Sequence, residues 1–146
     1  MFFGIDMTYI YLVLPAVLFA LWAQFNVQST FSKYSKVRSR SGMTGYDSAR
    51  RILDANRLHN VGIARVAGDL TDHYNPKDNT IYLSDSVYGE TTAAAIGVAA
   101  HEAGHAVQHA VGYTPMKLRS AIIPVTQIGS NLAMPLFLLG IVLSYP

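Results

Sequence analysis

The chain has 146 residues, enough for one domain, and its formal net charge at pH 7 is +2. Charged residues make up 14% of it, whereas about 25% is usual in soluble proteins, and the mean hydropathy is +0.23. The absence of cysteine excludes a disulfide framework and a thiolate metal site. So small a net charge does not indicate a nucleic-acid partner, and we expect none.

The charged residues are unevenly distributed along the chain. All eleven Lys and Arg lie between Lys33 and Arg119, and Asp6 is the one charged side chain of residues 1–32. Residues 120–146 have none. Two apolar, uncharged ends around one charged middle predict two membrane segments that flank a polar loop.

The first predicted membrane helix covers residues 5–25. Its segment 7–25 has no charge and is just long enough for a hydrocarbon core of about 30 Å. A signal peptide is the alternative, but the start of the chain lacks Lys and Arg and no small-residue cleavage site follows. A retained transmembrane helix is therefore favoured.

A basic juxtamembrane linker is predicted at residues 26–43, with Lys33, Lys36, Arg38 and Arg40. By the positive-inside rule, this side of the membrane is the cytoplasmic one. The four cations also suit contact with anionic lipid headgroups.

The polar middle begins with a capping box at residues 44–47, which predicts a helix to about Asn56. Residues 61–67 and 80–83 read as short strands separated by a turn at residues 75–79, so a small antiparallel sheet is expected. An exposed edge can align a peptide backbone. The candidates for this role are Thr80, Ile81, Tyr82 and Leu83. A covered edge strand without a ligand remains the alternative.

Residues 91–112 form a predicted helix that contains the motif H-E-x-x-H at His101, Glu102 and His105. On a helix the two histidines lie one turn apart, about 6 Å along the axis and roughly 40° around it, so both can reach one zinc ion. Glu102 then lies beside an open metal position, where it can act as the general base for metal-activated water. The alternative is a pair of core histidines with Glu102 in a salt bridge.

Three other side chains are candidates for a third ligand or for supporting the ligands: Asp72, His73 and His109. Asp72 and His73 precede the turn, where they can equally bond local backbone. His109 lies about 12 Å along the helix from His101, too far to share its ion easily. We therefore expect His109, like Gln108, to be a polar packing or supporting group.

The second predicted membrane helix covers residues 119–143, with an uncharged stretch at residues 121–143. Its first half contains Gln127, Ser130 and Asn131, which predicts packing against the first helix, the loop or another copy. A buried hairpin of a soluble protein is the alternative. The expected topology places both termini outside and the loop in the cytoplasm.

Several long segments are similar to one known family, the YugP-like membrane zinc metallopeptidases of bacteria. They read STFSKYSKVRSRSGMTG, GDLTDHYNPKDNTIYLS, VAAHEAGHAVQHAVGYTPMKLRS and IPVTQIGSN, and the similarity runs from about residue 28 to the end. The resemblance implies a bacterial, multi-pass protein of the cell membrane and a zinc-dependent peptidase that acts on peptides or proteins. It implies His101 and His105 as zinc ligands and Glu102 as the catalytic residue.

This chain departs from the family pattern in one respect. Family members are longer and carry, after more membrane helix, a glutamate implied to be the third zinc ligand. No Asp or Glu follows Glu102 here. We expect a shortened chain or a fragment, with a third ligand otherwise supplied by Asp72, His73 or another chain.

The sequence thus predicts a mainly α fold with a small antiparallel β element. Two transmembrane helices flank a zincin-like catalytic segment at residues 44–118. The expected function is peptide-bond hydrolysis with Zn²⁺ on the cytoplasmic side. The alternatives are a non-catalytic metal-binding or interaction protein and a membrane hairpin with a coincidental motif. The expected partners are the substrate, the lipid bilayer, and another copy or another membrane protein.

Overall fold

The structure, a computed structural model, describes residues 7–143 without the side chains of Thr8 and Tyr9. The elements in this range are α1 (Met7–Tyr34), α2 (Gly45–Ala55), β1 (Gly62–Val66), β2 (His73–Asn75), β3 (Thr80–Ser84), α3 (Asp85–Tyr88), α4 (Ala93–Ala110) and α5 (Thr114–Leu143). Helices dominate, the strands form one small sheet, and two long apolar helices flank the middle. The predicted fold class is confirmed.

Helix α1 continues to Tyr34, well beyond the predicted end at residue 25. The first part of the predicted linker is therefore helical, over residues 26–34. No Gly or Pro interrupts them, and extending a helix that has already formed is far easier than starting one. Residues 5 and 6, which the prediction included in this helix, lie outside the described residues.

The segment that follows α1 is attached to the start of α4. The amide of Ser39 donates to the carbonyl of Thr91 at 2.8 Å, and the amide of Ala93 donates to the carbonyl of Val37 at 2.8 Å. These bonds flank an antiparallel bridge between Arg38 and Thr92. The end of α1 is thereby fixed next to the helix that carries H-E-x-x-H.

Helix α2 begins with the predicted capping box. The amide of Asp47 donates to the Thr44 hydroxyl at 3.1 Å, and the amide of Thr44 donates to the Asp47 carboxylate at 3.0 Å. Gly45 follows and packs so closely on α3 that a Cβ there would overlap the carbonyl oxygen of Val87. The prediction of this helix from residue 44 to about residue 56 is confirmed.

The strand order is β1-β3-β2, and the sheet is mixed. Strand β3 pairs in parallel with β1, from Gly62–Thr80 to Val66–Ser84, and antiparallel with β2. The antiparallel prediction therefore holds for the β2–β3 hairpin and is wrong for the two strands identified from the sequence. The chain leaves β1 through Gly68, at φ +102°, and returns on the far side of β3.

The hydrophobic core lies between α2, the sheet and α4. Small residues on one face of α4 let α2 approach closely, and the Ser48 hydroxyl of α2 donates to the Ile96 carbonyl of α4 at 3.2 Å. The fully buried residues of this core include Ala49, Leu53, Val61, Ile81, Leu83, Val87, Ala95, Ala99, Ala103 and Ala106. The core thus holds the buried face of α4 and leaves another face available.

Helix α5 begins at Thr114, earlier than the predicted start at residue 119. Pro115 lies in its first turn, where a missing N–H breaks no helical hydrogen bond. By length and composition, Ile10–Tyr34 and Thr114–Leu143 are both candidates to cross a membrane. Their large apolar side chains are mostly exposed, and apolar surface of this extent needs lipid or a protein partner.

Candidate functional site

Helix α4 carries the motif and is well defined at both ends. The Thr92 hydroxyl accepts from the amide of Ala95, which caps the N-terminus. Gly112 has φ +66° just after the last turn, a conformation that glycine adopts without strain. The helix therefore begins and ends close to the limits predicted from the sequence.

The structure brings His101 and His105 together. Their ring centroids lie 4.5 Å apart, and the ring planes are inclined by 77°. His101 is exposed and His105 is half-buried, so the pair lies at the edge of the core. This is the arrangement that the one-turn spacing predicts, and it allows both rings to reach a common ion.

Gln108 defines the tautomer of His105. The His105 Nδ1 and the Gln108 Oε1 lie 3.0 Å apart. An amide oxygen can only accept, so His105 Nδ1–H is the donor, and Nε2 keeps its lone pair free. Hydrogen bonds of this kind orient histidine ligands at metal sites. The expectation that Gln108 supports the site fits this geometry.

Glu102 is only 8% exposed but lines a cleft. The cleft has a volume of about 320 Å³ and is also lined by His101 and Asp72. Within residues 7–143, no fully buried side-chain oxygen or nitrogen lacks a hydrogen-bond partner. The Glu102 carboxylate is thus open to the cleft, and no ion pair within the described range holds it, whereas the core alternative had required one.

Asp72 lies at the cleft, but its carboxylate is engaged in a structural role. It accepts from the amide of Ser84 at 2.7 Å and from the Ser84 hydroxyl at 2.9 Å. His73 stacks on Tyr82 at 5.0 Å, and its Nδ1–H donates to the Thr71 carbonyl. His73 thus bonds local backbone, as the alternative expected, whereas the Asp72 carboxylate bonds Ser84 at the end of β3.

His109 faces a different group of side chains. Its ring lies 5.8 Å from that of Tyr74, with Nδ1 3.3 Å from the Tyr74 hydroxyl, and this hydroxyl donates to Asn79 at 2.9 Å. Partial burial raises the pKa of Tyr74, and the nearby Asp78 charge adds to this effect. The pair links α4 to the β2–β3 turn, so His109 is a packing group.

The role predicted for Thr80, Ile81, Tyr82 and Leu83 does not fit their place in the sheet. Strand β3 is central and pairs on both sides over Thr80–Tyr82, and Leu83 pairs with Arg65 of β1. Its backbone groups therefore offer no free edge to a peptide over Thr80–Tyr82. The free edges of this sheet belong to β1 and β2.

The donor set fits zinc in part. Two neutral imidazoles on adjacent turns suit Zn²⁺, and catalytic zinc sites usually have three protein ligands and an open position. Within residues 7–143, no group of three or more His, Asp or Glu side chains is placed to hold one ion. His101 and His105 are neighbouring imidazoles, and no third potential ligand lies beside them among these residues.

Sequence reasoning did not identify Leu70 and Gly97 at this site. Both line the cleft beside His101 and Glu102. The sequence did contain a signal for Gly97, because glycine is disfavoured in the interior of a helix and usually has a reason to be there. Nothing in the sequence around Leu70 indicated its left-handed backbone conformation, at φ +54°.

Comparison with known proteins establishes the family. The chain matches, over residues 9–146, the family described as "Putative neutral zinc metallopeptidase", and it belongs to that family. It is also similar to a protein of Bacillus subtilis described as "Putative membrane protease YugP", at 47% identity over 137 residues. The match covers 94% of this chain and 61% of that relative, so the chain spans about three fifths of the relative's length. No solved structure matches the chain. The family predicted from the segments is confirmed.

Proposed function

We propose that this protein is a membrane-bound, zinc-dependent peptidase whose active site is built on α4. His101 and His105 hold the metal, and Glu102 is the general base. The observation that carries the proposal is the 4.5 Å separation of the two rings on the helix whose Glu102 lines the adjoining cleft. Membership of a family described as zinc metallopeptidases supports the same chemistry.

Zinc bound there would polarise the scissile carbonyl and lower the pKa of water towards about 7. Glu102 accepts a proton from the water whose oxygen attacks the carbonyl carbon. It then donates this proton to the amine nitrogen as the C–N bond breaks, which yields a carboxylic acid and an amine. Gln108 holds the His105 ring through the bond to Nδ1.

We further propose a multi-pass protein of the cell membrane with its active site on the cytoplasmic side. Support comes from the two candidate spans and from the name of the Bacillus subtilis relative. The exposed cations Lys33 and Lys36 at one span and Lys117 and Arg119 at the other lie towards the loop, as the positive-inside rule requires. Peptides or proteins are the substrates, and the exposed helices pack against a second copy or another membrane protein.

The first prediction tests Glu102 by the change Glu102→Gln, which keeps the size of the side chain and removes the proton acceptor. We expect cleavage of a protein substrate in detergent to fall by about 10²- to 10⁴-fold, the usual contribution of a general base. Zinc content, measured by atomic absorption, should stay the same because the two histidines are unchanged.

The matched control is Glu90→Gln, since Glu90 is the chain's other glutamate and is exposed. This variant should cleave at the rate of the unaltered protein. Equal cleavage by the Glu102→Gln variant would overturn the assignment of the base.

One observation favours a second function, a metal-binding membrane protein without catalysis. Within residues 7–143, the two histidines have no third ligand beside them. This function predicts one tightly held zinc ion and no cleavage by the unaltered protein. Zinc binding that is lost in His101→Ala, without any peptidase activity, would favour it over the first proposal.

A further inference from the structure

An apolar groove lies between the C-terminal part of α1 and the N-terminal half of α4. Its volume is about 450 Å³, and its walls include Val27, Phe31, Leu70, Ala94 and Val98. Among the residues that the structure describes, no charged side chain lines it. Placing a charged group in such a site is costly unless it is paired, whereas an apolar group gains from leaving water.

The groove is continuous with the cleft beside Glu102. Four residues line both spaces, namely Val27, Leu70, Gly97 and Val98. Gly97 lies one helical turn before His101 on α4, so the groove enters the cleft next to the motif. A chain bound across His101 and Glu102 can therefore place a neighbouring side chain in the groove.

Two residues at this junction are locally unfavourable: one has a left-handed backbone conformation, and the other is a glycine inside a helix. Leu70 has φ +54°, which is unusual for a residue with a Cβ, and it is 38% exposed. Gly97 is an exposed glycine inside a helix, a position that favours alanine, and an added Cβ would meet no atom within 4 Å. Packing does not exclude a side chain at Gly97, and its absence keeps the passage between groove and cleft open.

We propose that the apolar groove binds an apolar side chain of the peptide substrate, close to the bond that is cleaved. This inference rests on the proposed peptidase function and names the specificity of the same site. The continuity with the cleft selects the substrate as the occupant, and the uncharged walls select its chemistry. Leu70 and Gly97 form the entrance.

The test uses the full chain in detergent and short quenched fluorescent peptides in which one position at a time carries Leu or Asp. At one position near the cleaved bond, kcat/KM should be about tenfold higher or more for the Leu peptide than for the Asp peptide. Losing the apolar contacts of a pocket typically costs at least this much. The change Gly97→Leu fills the passage and should abolish this preference mainly through KM. Zinc content should not change.

The matched control is Ala110→Leu, which adds bulk to an exposed position of the same helix away from the groove. It should keep the preference. Thermal unfolding of both variants identifies a folding defect, and the smaller change Gly97→Ala, which suits a helix, should still reduce the preference. An unchanged preference in both Gly97 variants would indicate that lipid or another helix covers the groove, and would overturn the proposal.

A binding measurement separates this proposal from the peptidase function. The Glu102→Gln variant should bind a fluorescent Leu peptide more tightly than its Asp counterpart, and Gly97→Leu added to it should remove the difference. If the unaltered protein cleaves nothing but this difference is found, the groove still binds apolar side chains and the peptidase function fails. If peptides are cleaved without any preference for Leu, the groove proposal fails alone.

Discussion

At the scale of the residue, the chemistry of the site depends on which nitrogen of His105 carries its proton. Gln108 lies one turn further along α4, and its amide oxygen accepts a hydrogen bond from His105 Nδ1–H. Residues three apart lie on the same face of a helix. One side chain thus orients the ring and leaves Nε2 free for a metal.

The second prediction follows from this hydrogen bond. The change Gln108→Leu removes the acceptor and leaves the ring free to rotate, so zinc affinity should fall by about 10- to 100-fold, as for other partners of metal-bound histidines. Competition with a chelating fluorophore in detergent measures the affinity without any substrate.

The variant Gln108→Glu keeps an acceptor and should retain most of the affinity. Gln24→Leu, at an exposed position of α1, is the matched control and should not alter it. Unchanged zinc affinity in Gln108→Leu would show that this bond does not position the ligand.

Residue spacing predicted part of this site and not the rest. The proximity of His101 and His105 follows from the geometry of a single helix, and the structure shows their rings 4.5 Å apart. The surroundings of Asp72, His73 and His109 depend on Ser84, Tyr82 and Tyr74, which other elements contribute. No local pattern encodes those contacts, so the sequence could only name these residues as candidates.

At the scale of the element, the start of α2 is stabilised by hydrogen bonds between residues that are close in sequence. Thr44 and Asp47 exchange hydrogen bonds across the first turn, and the Thr44 hydroxyl also donates to the Asp47 carboxylate at 2.7 Å. The bonds from the Thr44 hydroxyl and then from its amide lower the pKa of Asp47 below its ordinary value of 3.8. The ionised carboxylate therefore stabilises the start of the helix.

The third prediction concerns this pH dependence. A lowered pKa in the folded state stabilises the fold above pH 3.8, and this contribution is lost as the pH falls through the lowered pKa. The change Asp47→Asn should lower the melting temperature slightly at pH 7. The difference from the unaltered protein should disappear in strong acid, as measured by circular dichroism in detergent.

Asp69→Asn, in an exposed loop, is the control and should melt like the unaltered protein at every pH. A difference for Asp47→Asn that persists below the lowered pKa would mean that the ionised carboxylate is not its source.

Sheet pairing illustrates the limit of prediction at this scale. Both strands found in the sequence exist, but β1 and β3 are parallel and β2 completes the hairpin. The alternation of apolar and polar residues along a strand shows which face is buried, but it does not show which strands pair with it. The reversal at Gly68 and Leu70 sends the chain past β3, and the strand that follows, β2, packs against α4.

At the scale of the whole molecule, the two long helices expose apolar side chains along most of their length. The charged segment lies between them. The exposed cations near the end of α1 include Lys33, Lys36, Arg38 and Arg40. This distribution favours a cytoplasmic loop held at the membrane surface.

The fourth prediction tests this topology with single cysteines, because the chain has none of its own. A membrane-impermeant maleimide should label Ser41→Cys, an exposed position of the loop, only after the cells are permeabilised. Gly4→Cys, at the terminus predicted to lie outside, should be labelled in intact cells. The reverse pattern would place the loop between the two helices on the outer side.

The sequence by itself determined the features that arise within one segment. These are the apolar helices, the capped helix α2 and the one-turn spacing of the metal motif, since hydropathy, capping and helical period act between near neighbours in the chain. Only the tertiary structure decided the strand order, the engagement of Asp72 by Ser84 and the groove that joins α1 to α4. These features depend on contacts between segments far apart in sequence, which form only when the core of α2, the sheet and α4 is packed.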